Sequence, residues 1–320
     1  MKMRRFIANL LLATMPLTSG GCHCEQRSGQ SFKANAQNAA RDSGSQTRPH
    51  ASFPPWTNSL GMRFLPVEGT EVLFAVWDTR VQDYAAFVKA TGRKPSPGMW
   101  SLRNQRYGQH GDTWDNPGFV QGPTHPVCGV NWNDTQAFCS WLTEKEHAEG
   151  IIEAHQSYRL PTDWEWSTAA GLADPPAGRP RDKDEKPINA YGWGATWPPP
   201  STAGNYAGTD TTDADWPRNW KVIENRRDEF ARTSPVGSFP PNKSGLYDMG
   251  GNVWQWCQDD YDDIRGTKPL RGGSWADVVP RFLSLSFRLD FAPEDRFDYA
   301  TGFRVVLTGK RAPASRPPHP

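Results

Sequence analysis

The amino-acid sequence predicts an α+β protein with much irregular structure, and three observations support this fold class. Three segments begin with the residue pairs that cap helices, and two segments ahead of them alternate between apolar and polar residues as strands do. The 320 residues also contain 29 Gly, 29 Pro and 15 Trp. Gly and Pro in such numbers indicate many turns, and Trp fills irregular gaps in a core. We therefore expect short helices and strands joined by much loop.

The first element is a predicted signal segment, residues 1–22. Basic residues precede an apolar run from Phe6 to Leu17, which is too short to span a bilayer as a stable helix, and small residues follow it. The four residues from Ser19 to Cys22 resemble a bacterial lipobox, although Ser19 replaces the usual Leu. We expect cleavage before Cys22 and its lipidation; ordinary cleavage at the same bond is the alternative. Both place the rest of the chain outside the cytoplasm, in the first case lipid-anchored and facing the periplasm or cell surface.

The remaining chain divides by composition. Residues 23–50 are polar and predict a disordered tether, residues 51–308 form one large domain, and the Pro-rich residues 309–320 predict a disordered tail. The chain carries 36 basic and 35 acidic residues, for a net charge of +1. This balance provides no field that would recruit nucleic acid, so membrane contact is expected only through the lipid anchor.

Within the domain, local patterns place several elements. The segments "GMRFLPVEG" (61–69) and "TEVLFAVWDT" (70–79) predict a hairpin. Three helices are predicted to begin at Thr79, Asn133 and Thr162, each with Glu or Gln three residues later, and to end at Gly92, Gly150 and Gly171. Short strands separated by Gly, Pro, Asn and Asp are expected after the third helix.

Cysteine usage argues against a disulfide framework. Apart from Cys22 and Cys24, the chain contains only Cys128, Cys139 and Cys257. An odd number cannot all pair in an oxidising compartment, and Cys139 lies beside the apolar stripe of the second helix, where a small core residue fits.

Six segments carry a resemblance to a known family. In chain order they are "HPVCGVNWNDTQAFCSWL" (125–142), "YRLPTDWEWSTAA" (158–170), "AGNYAG" (203–208), "RDEFARTSPVGSFPPNKSGLYDMGGNVWQWCQDDY" (227–261), "LRGGSW" (270–275) and "GFRVV" (302–306). Together they resemble the formylglycine-generating enzyme family, also called sulfatase-modifying factor domains, over nearly all of residues 58–308. The resemblance implies an elaborated C-type-lectin-like fold.

The oxidase chemistry of the family is not matched. Its oxidase members bind copper and activate oxygen with two cysteines shortly after the "GGSW" segment, a role suited to soft thiolates. In this chain no cysteine follows Cys257, and Asp277 stands where the first thiolate is expected. Copper is therefore not expected as a cofactor, unless Cys128, Cys139 and Cys257 supply substitute ligands.

The resemblance also implies two structural calcium positions, built from side-chain and backbone oxygens. The first would use the side chains of Asn205 and Asp228 with the carbonyls of Tyr206 and Phe230. The second would use the side chains of Asp248 and Gln255 with the carbonyls of Gly251 and Val253. The alternative is that Asp228 and Asp248 only cap loops.

The expected function is that of a binding scaffold without oxidase activity. Its candidate groove contains Ser274, Trp275, Asp277 and Arg288, faces the loop at 294–299, and would accept a peptide, protein or glycan. In the alternative arrangement Trp275 is a core residue and Arg288 belongs to a buried ion pair. Two other functions stay open: a true oxidase that converts a sulfatase cysteine to formylglycine, and a retroelement-diversified lectin-like receptor.

Overall fold

Two small sheets and a separate hairpin organise the structure, a computed structural model that describes residues 55–95, 98–186, 189–213, 215–294 and 298–309. The strands are β1 (Trp56–Thr57), β2 (Arg63–Pro66), β3 (Leu73–Ala75), β4 (Trp100–Arg103), β5 (Arg106–Gln109), β6 (Tyr158–Arg159), β7 (Trp254–Trp256), β8 (Lys268–Arg271), β9 (Leu289–Phe291), β10 (Thr301–Phe303) and β11 (Val306–Leu307). One sheet has the order β1-β2-β3-β11-β6, the other has the order β10-β7-β8-β9, and β4 pairs with β5. The fold class is α+β, as predicted.

The first hairpin is confirmed. Strands β2 and β3 are antiparallel, with Phe64 opposite Ala75 and Leu65 opposite Phe74. The last strand, β11, pairs on the other side of β3 and so brings the end of the domain back to its beginning.

The helices are α1 (Val81–Thr91), α2 (Trp132–Ala148), α3 (Asp163–Ala169), α4 (Pro180–Lys183) and α5 (Pro280–Leu283). Thr162 caps α3 as predicted. The predicted starts of the first two helices were wrong: Arg80 and Asn131 occupy the capping positions instead of Thr79 and Asn133. Thr79 is unavailable because its backbone donates to Phe303 and accepts from Val127, both at 2.9 Å.

The predicted helix ends are confirmed by backbone geometry. Gly92, Gly150 and Gly171 follow the three helices with positive φ angles of 67°, 64° and 85°. A left-handed residue closes a helix by satisfying its last carbonyls, and glycine adopts that conformation without a Cβ clash.

The largest apolar cluster joins α1 and α2 to strands of both sheets. It includes Phe64, Tyr84, Phe138, Trp256 and Phe303, all at most 2% exposed. The rings of Phe138 and Phe303 lie 5.4 Å apart, and the buried Trp256 indole donates to the Val130 carbonyl at 3.0 Å. This core fixes β7 and β10 beside each other in parallel. The segment between β8 and β9, which contains the candidate groove residues, therefore starts from a rigid frame.

The predicted signal segment, the lipidation site Cys22, the tether and nearly all of the tail lie outside the described residues. Among the helices of the described ranges, none combines the length and apolar character needed to cross a bilayer.

Candidate functional site

The candidate segment begins with a tight turn after β8. Gly272 and Gly273 have φ angles of +96° and +74°. A Cβ on Gly272 would lie 2.9 Å from the Met249 carbonyl oxygen, and one on Gly273 would lie 2.9 Å from the Phe282 carbonyl oxygen. Both positions therefore require glycine, in conformation and in space. The turn directs Ser274 and Trp275 inward, and the Trp275 amide donates to the Asn252 carbonyl at 3.0 Å.

Asp277 closes this turn. Its Oδ2 accepts hydrogen bonds from the Ser274 amide at 2.9 Å and from the Ser274 hydroxyl at 2.6 Å. Burial raises the pKa of Asp277 to about 6, against the opposing effect of these hydrogen bonds. The residue is half-buried, whereas Ser274 is 1% exposed. The position expected for a thiolate thus holds a carboxylate that is fixed by a neighbouring serine.

Trp275 is a core residue. It is 1% exposed, and its ring centroid lies 4.9 Å from that of Tyr299 and 5.8 Å from that of Phe119. The Arg232 guanidinium covers the ring at 5.0 Å, within cation–π distance. The indole is therefore not available as the wall of an open groove.

Arg288 is the centre of a buried ion network. Its guanidinium donates to both carboxylate oxygens of Asp163, at 2.8 and 3.0 Å, and also to Asp174. The side chain is 0% exposed. Although burial alone would lower it, the pKa of Arg288 is raised because these two carboxylates stabilise the charge. Trp275 and Arg288 thus have the surroundings of the alternative arrangement. Trp275 packs in the core, and Arg288 belongs to a buried ion pair.

The structure adds a carboxylate that the sequence patterns did not single out, Asp298. Its Oδ1 accepts from the Ala300 amide at 2.9 Å and from the Thr301 hydroxyl at 3.2 Å, and its Oδ2 lies 3.4 Å from the Tyr107 hydroxyl. Burial, together with the charge of Asp277, raises the pKa of Asp298 to about 7. We call Asp277 and Asp298 the acidic pair. Part of the predicted opposite wall, residues 295–297, lies outside the described ranges.

Partly exposed aromatic rings lie next to Asp298, whose Oδ2 is 3.4 Å from the Tyr107 hydroxyl. Tyr107 lies 5.2 Å from Trp100, 6.1 Å from Trp220 and 5.9 Å from Tyr299, measured between ring centroids. Trp100, Tyr107 and Trp220 are each partly accessible, as are both members of the acidic pair. Carboxylates and aromatic faces both attract cations, so this surface suits a basic group.

The first predicted calcium position contains an arginine that was not anticipated. The Arg226 Nη1 donates to the Tyr206 carbonyl at 3.0 Å and to Asp228 Oδ2 at 2.5 Å, and both oxygens were predicted calcium ligands. The same Asp228 oxygen also accepts from the Tyr206 amide at 3.0 Å, and Asp228 Oδ1 accepts from the Phe230 amide at 3.1 Å. The residues in this arrangement do not fit calcium, because the Arg226 guanidinium already donates hydrogen bonds to the Tyr206 carbonyl and to Asp228 Oδ2.

The second predicted position is also committed to internal contacts. Gln255 Oε1 accepts from the Trp166 indole at 2.9 Å and from Arg304 Nε at 3.2 Å, and its amide nitrogen donates to the Asp248 carbonyl at 2.7 Å. Asp248 Oδ2 accepts from the Gly237 amide at 2.9 Å. Two donors fill the two lone pairs of the Gln255 oxygen, so this side chain does not fit a calcium ligand either.

The three cysteines of the described ranges do not come together. Cys128, Cys139 and Cys257 are free and buried, and each belongs to a different apolar cluster. Burial raises the pKa of all three thiols. Because a thiolate is the form that binds soft metals, these environments oppose metal binding.

Comparison with known proteins settles the family. The sulfatase-modifying factor enzyme 1-like domain matches residues 74–308, which is most of the chain. The chain belongs to this family. The fold of the family is also confirmed by PvdO from Pseudomonas aeruginosa, which aligns with a TM-score of 0.56 at 22% identity over 80% of this chain and 98% of that one.

Relatives within the sulfatase-modifying factor family include both active and inactive proteins. The inactive C-alpha-formylglycine-generating enzyme 2 of Bos taurus is 29% identical over 233 residues, which cover 70% of this chain and 64% of that protein. The formylglycine-generating enzyme of Bos taurus is 32% identical over 139 residues, which cover 43% of this chain and 28% of that protein. The chain thus spans less than two thirds of either relative, and family membership alone does not assign an activity.

Proposed function

We propose that this sulfatase-modifying factor family member is an extracytoplasmic binding protein without oxidase activity. The observation that carries the proposal is the carboxylate of Asp277, held by two hydrogen bonds from Ser274 where the resemblance leads one to expect a thiolate. Copper(I) prefers soft sulfur ligands, whereas a carboxylate is a hard oxygen ligand. The separation of Cys128, Cys139 and Cys257 into three apolar clusters supports the same conclusion.

Export is proposed from the N-terminal sequence. Basic residues followed by the apolar run from Phe6 to Leu17 support a signal segment, and Cys22 is the proposed lipidation site. The polar residues that follow would then tether the domain to the membrane surface.

The ligand class is proposed from the acidic pair and its aromatic border. Asp277 and Asp298 are partly accessible, and Asp298 lies beside the Tyr107 hydroxyl, whose ring contacts the partly exposed rings of Trp100 and Trp220. A lysine or arginine side chain would place a positive charge near the carboxylates and its methylene groups on the rings. We therefore propose a peptide or protein segment that presents a basic side chain.

The test of the missing oxidase activity is copper(I) titration of the full chain, with parallel measurement of aldehyde formation. The substrate is a cysteine peptide that carries the sulfatase motif, supplied with oxygen and a reductant, and the formylglycine product is detected by mass spectrometry. We expect no aldehyde, and no tight copper binding that depends on Cys128, Cys139 or Cys257, because these three cysteines of the described ranges lie in separate apolar clusters. The bovine formylglycine-generating enzyme serves as the positive control. Aldehyde formation that disappears in a Cys128→Ser, Cys139→Ser or Cys257→Ser variant would refute the proposal.

The proposed ligand class is tested with lysine-containing peptides. A fluorescent peptide pool and the same pool with acetylated lysines are titrated into the protein, and anisotropy is measured. Acetylation removes the charge, so binding should weaken at least about tenfold, and Asp277→Asn with Asp298→Asn should weaken the unmodified pool similarly. Asp115→Asn, which changes an exposed carboxylate, is the matched control. Equal affinity for both pools would exclude a basic ligand.

A further inference from the structure

The segment from Gly204 to Phe230 closes around one buried arginine. The Arg226 side chain is 2% exposed and its Asp228 partner is 0% exposed. Besides its bonds to Tyr206 and Asp228, Arg226 donates through Nη2 to the Gly204 carbonyl and stacks at 5.1 Å from the Tyr206 ring centroid. One guanidinium therefore joins two backbone carbonyls and a carboxylate, the types of oxygen that a structural calcium ion would join.

The charges of this position are already balanced. Arg226 and Asp228 neutralise each other within hydrogen-bond distance. The next carboxylate, Asp210, accepts from the backbone amides of Asp228 and Glu229 and pairs with the exposed Arg227. A calcium ion at the same oxygens would face the guanidinium directly, and the Asp228 charge that would offset the repulsion is already paired with Arg226.

We propose that Arg226 is a built-in cation that replaces calcium at this position of the fold. The side chain supplies the positive charge and the hydrogen bonds that hold the loop, so the loop does not depend on a metal. This role is independent of whether the protein is an oxidase or a binding protein.

Asn205, a predicted calcium ligand, also lies at the position that Arg226 fills. Its amide nitrogen donates to the Arg232 carbonyl at 2.8 Å and contacts Asn252 Oδ1 at 3.4 Å. Its Oδ1 is buried and has no hydrogen-bond partner among the described residues. If the guanidinium were removed, this oxygen and the Tyr206 carbonyl would face a cation together with the Asp228 carboxylate, which would keep its hydrogen bonds from the Tyr206 and Phe230 amides. The proposal therefore predicts that removal of Arg226 creates a requirement for calcium.

The experiment compares the melting temperature of the full chain and of Arg226→Ser in EDTA and in millimolar calcium. Wild-type protein should melt at the same temperature in both. Arg226→Ser should melt lower in EDTA, and calcium should raise its melting temperature by about 5 °C or more, a gain that the added change Asn205→Ala removes. Arg227→Ser, which alters an exposed neighbour, and Arg226→Lys, which keeps the charge, should show no calcium effect.

Two results would overturn the proposal. The first is a calcium-induced rise for wild-type protein that Asn205→Ala abolishes, because the metal would then bind in the presence of Arg226. The second is an Arg226→Ser variant that folds and does not respond to calcium, because the oxygens would then not form a cation site. If Arg226→Ser does not fold in either condition, calcium titration of wild-type protein and Asn205→Ala by calorimetry decides, since heat that depends on Asn205 contradicts the proposal and its absence supports it.

Discussion

Replacement of Asp163 by Ala is expected to destabilise the protein by about 3–5 kcal/mol, because it leaves two buried guanidinium groups without their shared carboxylate. Asp163 accepts hydrogen bonds from Arg271 and from Arg288, and both arginine side chains are 0% exposed. Although burial alone would raise it, the pKa of Asp163 is lowered, since the two arginines stabilise its charged form. Asp174 would remain as a partner for Arg288 but not at hydrogen-bond distance for both cations.

The measurement is the free energy of unfolding from urea denaturation. The slope of this free energy against urea concentration is compared between wild type and variant, to confirm that unfolding exposes the same surface in both. Asp182→Ala is the matched control, because Asp182 forms an exposed ion pair with Arg179, and such pairs contribute little to stability. A loss below about 1 kcal/mol for Asp163→Ala would mean that water reaches the network and that the segment from Gly272 to Arg288 is less rigid than its contacts indicate.

This network also marks the limit of what local sequence patterns reveal. The "GGSW" motif located the segment of the candidate groove, but the role of Arg288 depends on Asp163 and Asp174, which lie 125 and 114 positions earlier in the chain. Residue spacing does not encode which distant carboxylate a buried guanidinium will meet. The resemblance therefore located the segment, and only the fold shows that its arginine is already paired.

Sequence patterns predicted the structure most reliably where an element is fixed by contacts between residues that are close in the chain. The hairpin, the Thr162 cap and the three glycines that end helices all depend on contacts within a few residues. The start of the first helix failed because the backbone of Thr79 is held by two distant residues, Phe303 and Val127. Arg226 was missed for the same reason: no spacing rule connects it with the Gly204 and Tyr206 carbonyls.

The acidic pair combines a predicted and an unpredicted residue. Asp277 was identified because it departs from a family pattern, whereas Asp298 follows a loop without a local motif. Their interaction appears only when β10 and the turn after β8 are placed beside each other. The proposed ligand surface is thus a consequence of tertiary structure, and its properties depend on how two nearby carboxylates share charge.

The wild-type protein is expected to lose stability between pH 5 and pH 8 as Asp298 ionises. In the Asp298→Asn variant this loss should be smaller by about 1–2 kcal/mol. The folded-state pKa of Asp298, about 7, lies above its ordinary value of 3.8, because burial and the charge of Asp277 disfavour ionisation. An unfolded chain would release this proton near pH 4, so the folded state loses relative stability as the pH rises from about 4 through about 7, at up to about 1.4 kcal/mol per pH unit. Partial exposure of Asp298 reduces the total below this limit.

The change is measured by urea denaturation at pH 5 and pH 8, with Asp115→Asn as the control for an exposed carboxylate. Asparagine keeps an oxygen that can accept from the Ala300 amide, so the variant tests charge rather than the turn. An unchanged pH dependence would show that Asp298 ionises freely. If the pair instead behaves as expected, a basic ligand should bind more tightly as the pH rises through 7, since more of the acidic pair is then ionised.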